Sequence, residues 1–189
     1  VQFSTLSNFQ LCPIFTFVQF QATSIREVES GITAFYQDFG SKLWMTYRKN
    51  YEEFKNTKIN TDCGWGCMIR SGQMLVANAI LQLKLGRQWR WIDPSKFPHM
   101  AVDACDELMH KKIIRLFGDT LESPLSIHNF MEIAENSYSK KPGDWFGPTV
   151  TAHLIKQVVE KNRENCELLK NFNVYVATDN TIYKEDVYR

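Results

Sequence analysis

A cysteine preceded by glycines and a tryptophan is the part of the sequence best suited to chemistry. Residues 62–70 read Asp-Cys-Gly-Trp-Gly-Cys-Met-Ile-Arg, and a run of helix-forming residues starts at Cys67. Unpaired N–H groups at the start of a helix favour a thiolate over a thiol, and they can donate to an oxyanion during acyl transfer. Glycines at 64 and 66 let the backbone approach a substrate closely. The segment therefore predicts a nucleophilic thiol at Cys67.

Two other interpretations of this cysteine stay open on spacing alone. Cys67 could be a small buried hydrophobic residue, which is the usual role of an intracellular cysteine. It could also bind zinc, and the four ligands would then be Cys63, Cys67, Cys105 and either His99 or His110. However, three residues separate Cys63 from Cys67, whereas zinc-binding pairs usually have two between them. We therefore expect neither a metal nor another cofactor.

The composition indicates one compact domain in a reducing compartment. The chain has 189 residues, of which 44% are hydrophobic, so a real core is expected. Its 22 basic and 21 acidic residues nearly balance, which gives no electrostatic reason to expect nucleic acid as a partner. Five cysteines form an odd set without a disulfide pattern, and no secretory signal precedes them. We expect a cytoplasmic protein with reduced thiols.

The spacing of apolar residues predicts a mostly helical chain that places Cys67 at a helix start. Helices are predicted at residues 24–40, 67–85 and 102–115, after Ser123-Pro124, and from Pro148 onward. A further helical turn or two is expected around residues 43–47. The only strand signal is Val174-Tyr175-Val176, near the end of the chain.

The helix that starts at Cys67 is apolar over much of its circumference. Its apolar residues include Met68, Leu75, Ala79, Ile80 and Leu83, and Gly86 follows its last residue. Such a helix belongs in the centre of a domain. Asp62, just before it, is a candidate helix cap.

Four blocks of the sequence resemble the autophagin family of cysteine peptidases. They are residues 43–50, 64–74, 85–91 and 143–148, and they occur in the order in which the family has them. The blocks are long and rich in tryptophan and glycine, so chance agreement is improbable. The resemblance covers residues 43 to about 188, which is most of the chain.

The resemblance implies an α+β, papain-like peptidase fold with the nucleophile at the start of a central buried helix. Residues 23–189 would form a partial domain, truncated at its C-terminal end and lacking most of its sheet. Residues 1–22 are left as an N-terminal extension without an assigned role. By motif, Cys67 matches the family's nucleophile, Tyr47 the tyrosine whose hydroxyl helps to hold the oxyanion, and Trp145 the tryptophan that covers the cleft and contacts the substrate's glycine.

The family's activity follows from the same resemblance. Autophagins cut the C-terminal tail of a ubiquitin-like autophagy modifier after a glycine, and they release that modifier from phosphatidylethanolamine. The expected partners are therefore the free modifier precursor and its lipid-conjugated form, with transient proximity to a membrane through the substrate.

A catalytic base is missing from the motifs. The family takes its histidine from an Asp-Pro-His tripeptide, and this sequence has none. The histidines present are His99, His110, His128 and His153, and none lies in a matching context. We therefore expect a truncated chain with little or no peptidase activity of its own. The alternative is a non-catalytic protein that binds the modifier through the same surface.

Overall fold

The computed structural model describes residues 25–92, 103–177, 179 and 181–187. Within these residues the helices are α1 (Ile25–Gly40), α2 (Cys67–Leu85), α3 (Ala104–Arg115), α4 (Ile127–Tyr138), α5 (Pro148–Asn162) and α6 (Lys184–Val187). The five predicted helices are thus confirmed over the described residues, and the short α6 was not predicted. No helix in this part of the chain is long and apolar enough to cross a membrane.

The predicted strand at residues 174–176 is wrong, because the structure has irregular backbone there. The described residues contain no β-strand, only one isolated antiparallel bridge between Lys49 and Thr61. A valine-rich segment becomes a strand only when a neighbouring strand takes up its backbone hydrogen bonds. No such neighbour exists among the described residues.

Local signals explain where the helices begin and end. The Asp103 carboxylate accepts hydrogen bonds from the first backbone amides of α3, and the Ser126 hydroxyl accepts one from Asn129 at the start of α4. Pro148 occupies the first turn of α5, where its missing N–H costs nothing. At the end of α2, Gly86 adopts a positive φ of 87°, which few residues other than glycine tolerate.

The core lies between α2, α3, α4 and α5. Helix α2 packs against α3 and α5, and α5 also packs against α4. The fully buried apolar side chains from these helices are Ile69, Ala77, Ile80, Ile113, Ile127, Ala134, Leu154, Val158 and Val159. Helix α2, which carries Cys67, therefore contributes several of the buried side chains of this core.

Helix α2 is nevertheless only partly buried. Leu75 and Leu83 are 45% and 57% exposed, so its apolar surface is not fully covered in the described part of the chain. Helices α3 and α5 contact α2, and no other described helix contacts it to a comparable extent.

Helix α1 leaves its apolar face uncovered. Ile32, Phe35 and Phe39 recur at helical spacing as predicted, and they are 50%, 61% and 56% exposed. The segment that follows α1 does not continue as a helix, so the turns predicted around residues 43–47 are wrong. In that segment Met45 is buried, while Trp44 and Tyr47 are exposed. The irregular backbone therefore places the Met45 side chain in the core and the side chains of Trp44 and Tyr47 in solvent.

Candidate active site

Cys67 is the first residue of α2, and it is exposed to solvent. The residue before it, Gly66, is the helix N-cap, and no side chain caps the amides of the first turn. These N–H groups and the positive end of the helix dipole are therefore free to interact with a negative group at this position. The interpretation of Cys67 as a buried structural cysteine is excluded by its exposure.

Tyr47 lies next to Cys67, 20 residues earlier in the chain, although it is not on a helix. The pKa of the Tyr47 phenol is raised above its ordinary value of 10.0. Desolvation is the main cause, and hydrogen bonding with Cys67 is the second. The phenol therefore keeps its proton at neutral pH, and it can donate that proton to the sulfur. Tyr47 is 45% exposed, so a substrate could also reach its hydroxyl.

Residues 62–66 form a tight turn, here called the cysteine turn, that leads into α2. The carbonyl of Asp62 accepts hydrogen bonds from the N–H groups of Trp65 at 3.2 Å and Gly66 at 2.9 Å. The Trp65 indole is buried and donates to the carbonyl of Thr61 at 2.9 Å. Gly64 has a φ of 85°, which favours glycine at that position. The turn is thus held by its own backbone and by one buried aromatic ring.

Gly66 allows the cysteine turn to close tightly. A Cβ atom at this position would lie 2.5 Å from the Asp62 Cβ and 2.7 Å from the Asp62 Oδ2. Both separations are shorter than van der Waals contact. Any other residue would therefore force Asp62 to move.

The Asp62 side chain belongs to a buried ionic network rather than to a helix cap, so the capping prediction is wrong. Its Oδ2 accepts from the Arg70 Nε at 2.7 Å, and its Oδ1 accepts from the backbone N–H of Arg48 at 2.7 Å. Arg70 also donates to Asp119 at 2.8 Å and to the Gln73 Oε1 at 3.0 Å. We call these five residues the Asp62–Arg70 network.

Burial makes this network more than a surface ion pair. Asp62 is fully buried, Arg70 is 2% exposed and Gln73 is fully buried. Burial disfavours a charged guanidinium, but the hydrogen bonds with Asp62 and Asp119 outweigh that effect and raise the pKa of Arg70. Arg70 therefore stays charged, and each of its carboxylate partners keeps a fixed orientation.

The network also extends beyond the active-site segments. The Arg48 guanidinium donates to Asp119 at 2.7 Å and to the carbonyl of Phe117 at 3.1 Å. The Gln73 amide donates to the carbonyl of Leu125 at 2.7 Å. The start of α2 is thereby connected to the loop between α3 and α4.

Trp145 is 74% exposed on the loop before α5. Its neighbour Phe146 is buried, and the Phe146 ring centroid lies 6.4 Å from that of Trp65 in the cysteine turn. The carbonyl of Trp145 accepts a hydrogen bond from Lys140 at 3.0 Å. The loop is therefore anchored next to the cysteine turn while the Trp145 ring is free to meet a ligand.

Two of the described histidines, His128 and His110, have partners away from Cys67. His128 is buried, and its Nε2 lies 2.7 Å from the carbonyl of Glu52. The His110 ring packs on Trp89 with centroids 4.9 Å apart, and burial lowers the pKa of His110. Within the described residues no hydrogen bond joins a histidine to Cys67.

Zinc binding finds no support in the described part of the chain. No group of three or more histidine, cysteine, aspartate or glutamate side chains is placed to hold a metal ion there. His99, one of the proposed zinc ligands, lies outside the described residues.

The sequence patterns missed the role of Arg70 and Gln73. One signal was present, because Arg70 directly follows the apolar Met68 and Ile69 in a helix predicted to be central. A charge at such a position needs a buried partner of opposite sign. One partner, Asp62, lies eight residues earlier, but the other, Asp119, lies 49 residues away in sequence and could not be found locally.

Comparison with known proteins assigns the chain to a family. The model of the peptidase C54 catalytic domain matches residues 32–189. The chain belongs to the peptidase C54 family. The resemblance to autophagins is thereby confirmed, since curated relatives of this chain are cysteine proteases named ATG4.

Three of these C54 relatives show how far the likeness extends. Cysteine protease ATG4D of Xenopus laevis is 35% identical over 193 aligned residues, covering 85% of this chain and 40% of the relative. Cysteine protease ATG4C of Xenopus laevis is 32% identical, with 87% and 44% covered. The probable cysteine protease atg4 of Botryotinia fuckeliana is 34% identical, with 82% and 37% covered. This C54 chain spans about two fifths of the length of the curated relatives it matches.

Proposed function

We propose that this C54 chain carries the nucleophile of a cysteine peptidase that cleaves a ubiquitin-like autophagy modifier after its C-terminal glycine. One observation carries the proposal: an exposed Cys67 opens α2, and Tyr47 lies close enough for this cysteine to help raise the pKa of the phenol. The substrate class is inferred from the family resemblance. The positions of Cys67 and Tyr47 support nucleophilic attack on a peptide carbonyl.

The proposed reaction starts with attack of the Cys67 sulfur on the glycine carbonyl carbon. The carbonyl oxygen becomes an oxyanion, which Tyr47 and the first amides of α2 stabilise by donating hydrogen bonds. Collapse of this intermediate breaks the C–N bond, and the leaving nitrogen takes a proton from a general acid. Water then hydrolyses the thioester and regenerates the thiol. In the family, the acid and base is the histidine of the Asp-Pro-His motif.

Both modifier forms suit this chemistry. The precursor tail and phosphatidylethanolamine are each joined to the glycine carbonyl through an amide nitrogen, so the same attack releases either one. We therefore propose deconjugation as well as processing, with the membrane approached only through the lipid-linked substrate. Trp145 is the proposed contact for the substrate's glycine end, because its ring is exposed on an anchored loop.

We also propose a cytoplasmic location, in which the thiol stays reduced. The four described cysteines, Cys63, Cys67, Cys105 and Cys166, are free. A nucleophilic thiol is useful only where it is not oxidised.

The proposal can be tested with a modifier that carries an electrophilic group at its C-terminal glycine. We expect a covalent adduct on Cys67, measured by a mass shift and peptide mapping. Cys63 is the matched control because it is also exposed and lies four residues away. Cys63→Ala should form the adduct, Cys67→Ala should not, and Trp145→Ala should form it more slowly. An adduct that persists in Cys67→Ala, or none in the parent chain, contradicts the proposal.

Cleavage of a true amide substrate is a stricter measurement. No hydrogen bond joins a described histidine to Cys67, so we expect the 1–189 chain to process a modifier precursor slowly or not at all. Binding of the modifier without adduct formation would favour the alternative, a non-catalytic modifier-binding protein. Rapid cleavage that Cys67→Ala abolishes would show that another group serves as the base.

A further inference from the structure

Asp62 connects the two segments that carry Tyr47 and Cys67. Its Oδ1 accepts the backbone N–H of Arg48, the residue after Tyr47, at 2.7 Å. Its main-chain carbonyl accepts the N–H of Gly66, the residue before Cys67, at 2.9 Å. One residue therefore holds the immediate neighbours of both functional side chains.

The Arg48 backbone is held from its carbonyl side as well. The Thr61 hydroxyl donates to the carbonyl of Arg48 at 2.9 Å, and the backbone N–H of Asp62 donates to the same oxygen at 3.3 Å. Residues 61 and 62 thus fix both backbone polar groups of Arg48, the residue that follows Tyr47. Tyr47 itself is on irregular backbone, so these bonds replace the support that a helix or sheet would give.

Asp62 is held in place in turn. Arg70 donates to its Oδ2 at 2.7 Å, and Asp119 binds the other side of the guanidinium at 2.8 Å and 3.3 Å. Because Asp62 and Arg70 are both buried, this pair is screened very little by water. The carboxylate cannot rotate away from the Arg48 N–H without leaving a buried charge unpaired.

We propose that Asp62 is a positioning residue that holds the segment carrying Tyr47 beside the start of α2, so that the Tyr47 hydroxyl stays near the Cys67 sulfur. It would act through the backbone of Arg48 and Gly66, and not by contacting the substrate. The inference rests on the proposed function only in assigning a catalytic purpose to the Tyr47–Cys67 contact. The hydrogen bonds from Asp62 to the two segments are features of the structure alone.

The rate of Cys67 alkylation measures the contact without needing a substrate or a base. At mildly acidic pH, iodoacetamide should modify Cys67 faster in the parent chain than in Tyr47→Phe, because the phenol stabilises the reactive anionic sulfur. We expect a two- to tenfold ratio, about the range for loss of one hydrogen bond. Peptide mass spectrometry separates Cys67 from the other cysteines.

The decisive quantity is how this ratio changes in an Asp62→Asn background. If Asp62 positions Tyr47, the parent-to-Tyr47→Phe ratio should fall to nearly one there. A merely structural aspartate would lower the melting temperature but leave the ratio unchanged in molecules that remain folded. Folding is checked by circular dichroism at the temperature of the alkylation.

Two further variants keep the test decisive. Thr61→Val removes the hydroxyl that holds the Arg48 carbonyl but keeps the side chain's shape, so it should reduce the ratio partly even if Asp62→Asn does not fold. Lys49→Ala is the matched control, because it removes an exposed side chain two residues after Tyr47 and keeps the backbone that pairs with Thr61. It should leave the ratio unchanged.

The inference is overturned if Tyr47→Phe has no effect in the parent chain, or if its effect survives in Asp62→Asn and Thr61→Val. The outcome of the modifier-adduct experiment does not depend on the outcome of the alkylation experiment. An intact alkylation pattern without a modifier adduct would retain the role of Asp62 and reject the peptidase assignment.

Discussion

Helices α1 and α4 carry similar apolar stripes but differ completely in burial. In α4, Ile127, Phe130, Met131 and Ala134 are all 3% exposed or less. In α1, Ile32, Phe35 and Phe39 are each at least 50% exposed. Helix α4 packs against α5, whereas α1 makes no comparable contact with another described helix. The comparison shows that a stripe of apolar residues in the sequence predicts a helix. The stripe contributes to stability only where another helix or segment packs against it.

Matched phenylalanines give the largest expected difference between the two helices. Phe130→Ala in α4 should lower the free energy of unfolding by about 3–5 kcal/mol, because it opens a cavity in the core. Phe35→Ala in α1 should change it by no more than about 0.5 kcal/mol. Urea denaturation followed by circular dichroism measures both. A large loss in Phe35→Ala would mean that the α1 face is covered in solution, and would remove the contrast.

Charged residues sharpen the comparison further. Arg70→Ala in α2 should cost about 3–5 kcal/mol, since Asp62 and Asp119 would be left without their buried partner. Lys42, just after α1, pairs with Asp38 at 3.3 Å in a partly exposed setting. Lys42→Ala should cost at most about 1 kcal/mol. Equal losses in the same denaturation experiment would contradict the distinction between the regions.

A helix cap provides an intermediate effect on the buried side. The Ser126 hydroxyl, which caps α4, accepts from the Asn129 backbone N–H at 3.3 Å. Ser126→Ala should lower the free energy of unfolding by about 1 kcal/mol. Ser126→Thr, which keeps a neutral hydroxyl at this fully buried position, is the control for the loss of the acceptor. An unchanged stability in Ser126→Ala would show that packing against α5 holds α4 without its cap.

The smallest expected effect is a pH dependence that involves His110 in α3. Burial lowers the pKa of His110 below its ordinary value of 6.5, so the folded chain favours the neutral ring. The unfolded chain then binds the proton first as the pH falls below about 6.5, and stability decreases with decreasing pH. His110→Gln should flatten this dependence between pH 7.5 and 5.5. An equally steep dependence in the variant would assign it to other groups.

Local patterns predicted much of the fold and part of the site. The bounds of α2 followed from a run of helix formers that ends at Gly86, and the buried face of α4 followed from its spacing. The contact between Tyr47 and Cys67 could be expected only from the family resemblance, because Tyr47 lies on irregular backbone.

The features that the sequence could not predict depend on tertiary contacts. The Asp62 carboxylate was interpreted as a cap, since only its position before a helix was visible. Its actual partners are Arg70 and the Arg48 backbone, which local periodicity does not encode. The strand predicted at residues 174–176 failed for the same reason, because β-pairing depends on a second segment.

The tight closure at Gly66 has a consequence for how variants of this protein should be judged. A single methyl group there would push the Asp62 carboxylate aside without deleting any thiol, phenol or charge. Every reactive group would still be present, yet their spacing would be altered. A variant at Gly66 would therefore keep all the functional residues in its sequence. Its defect would be detected only by measuring the reactivity of Cys67.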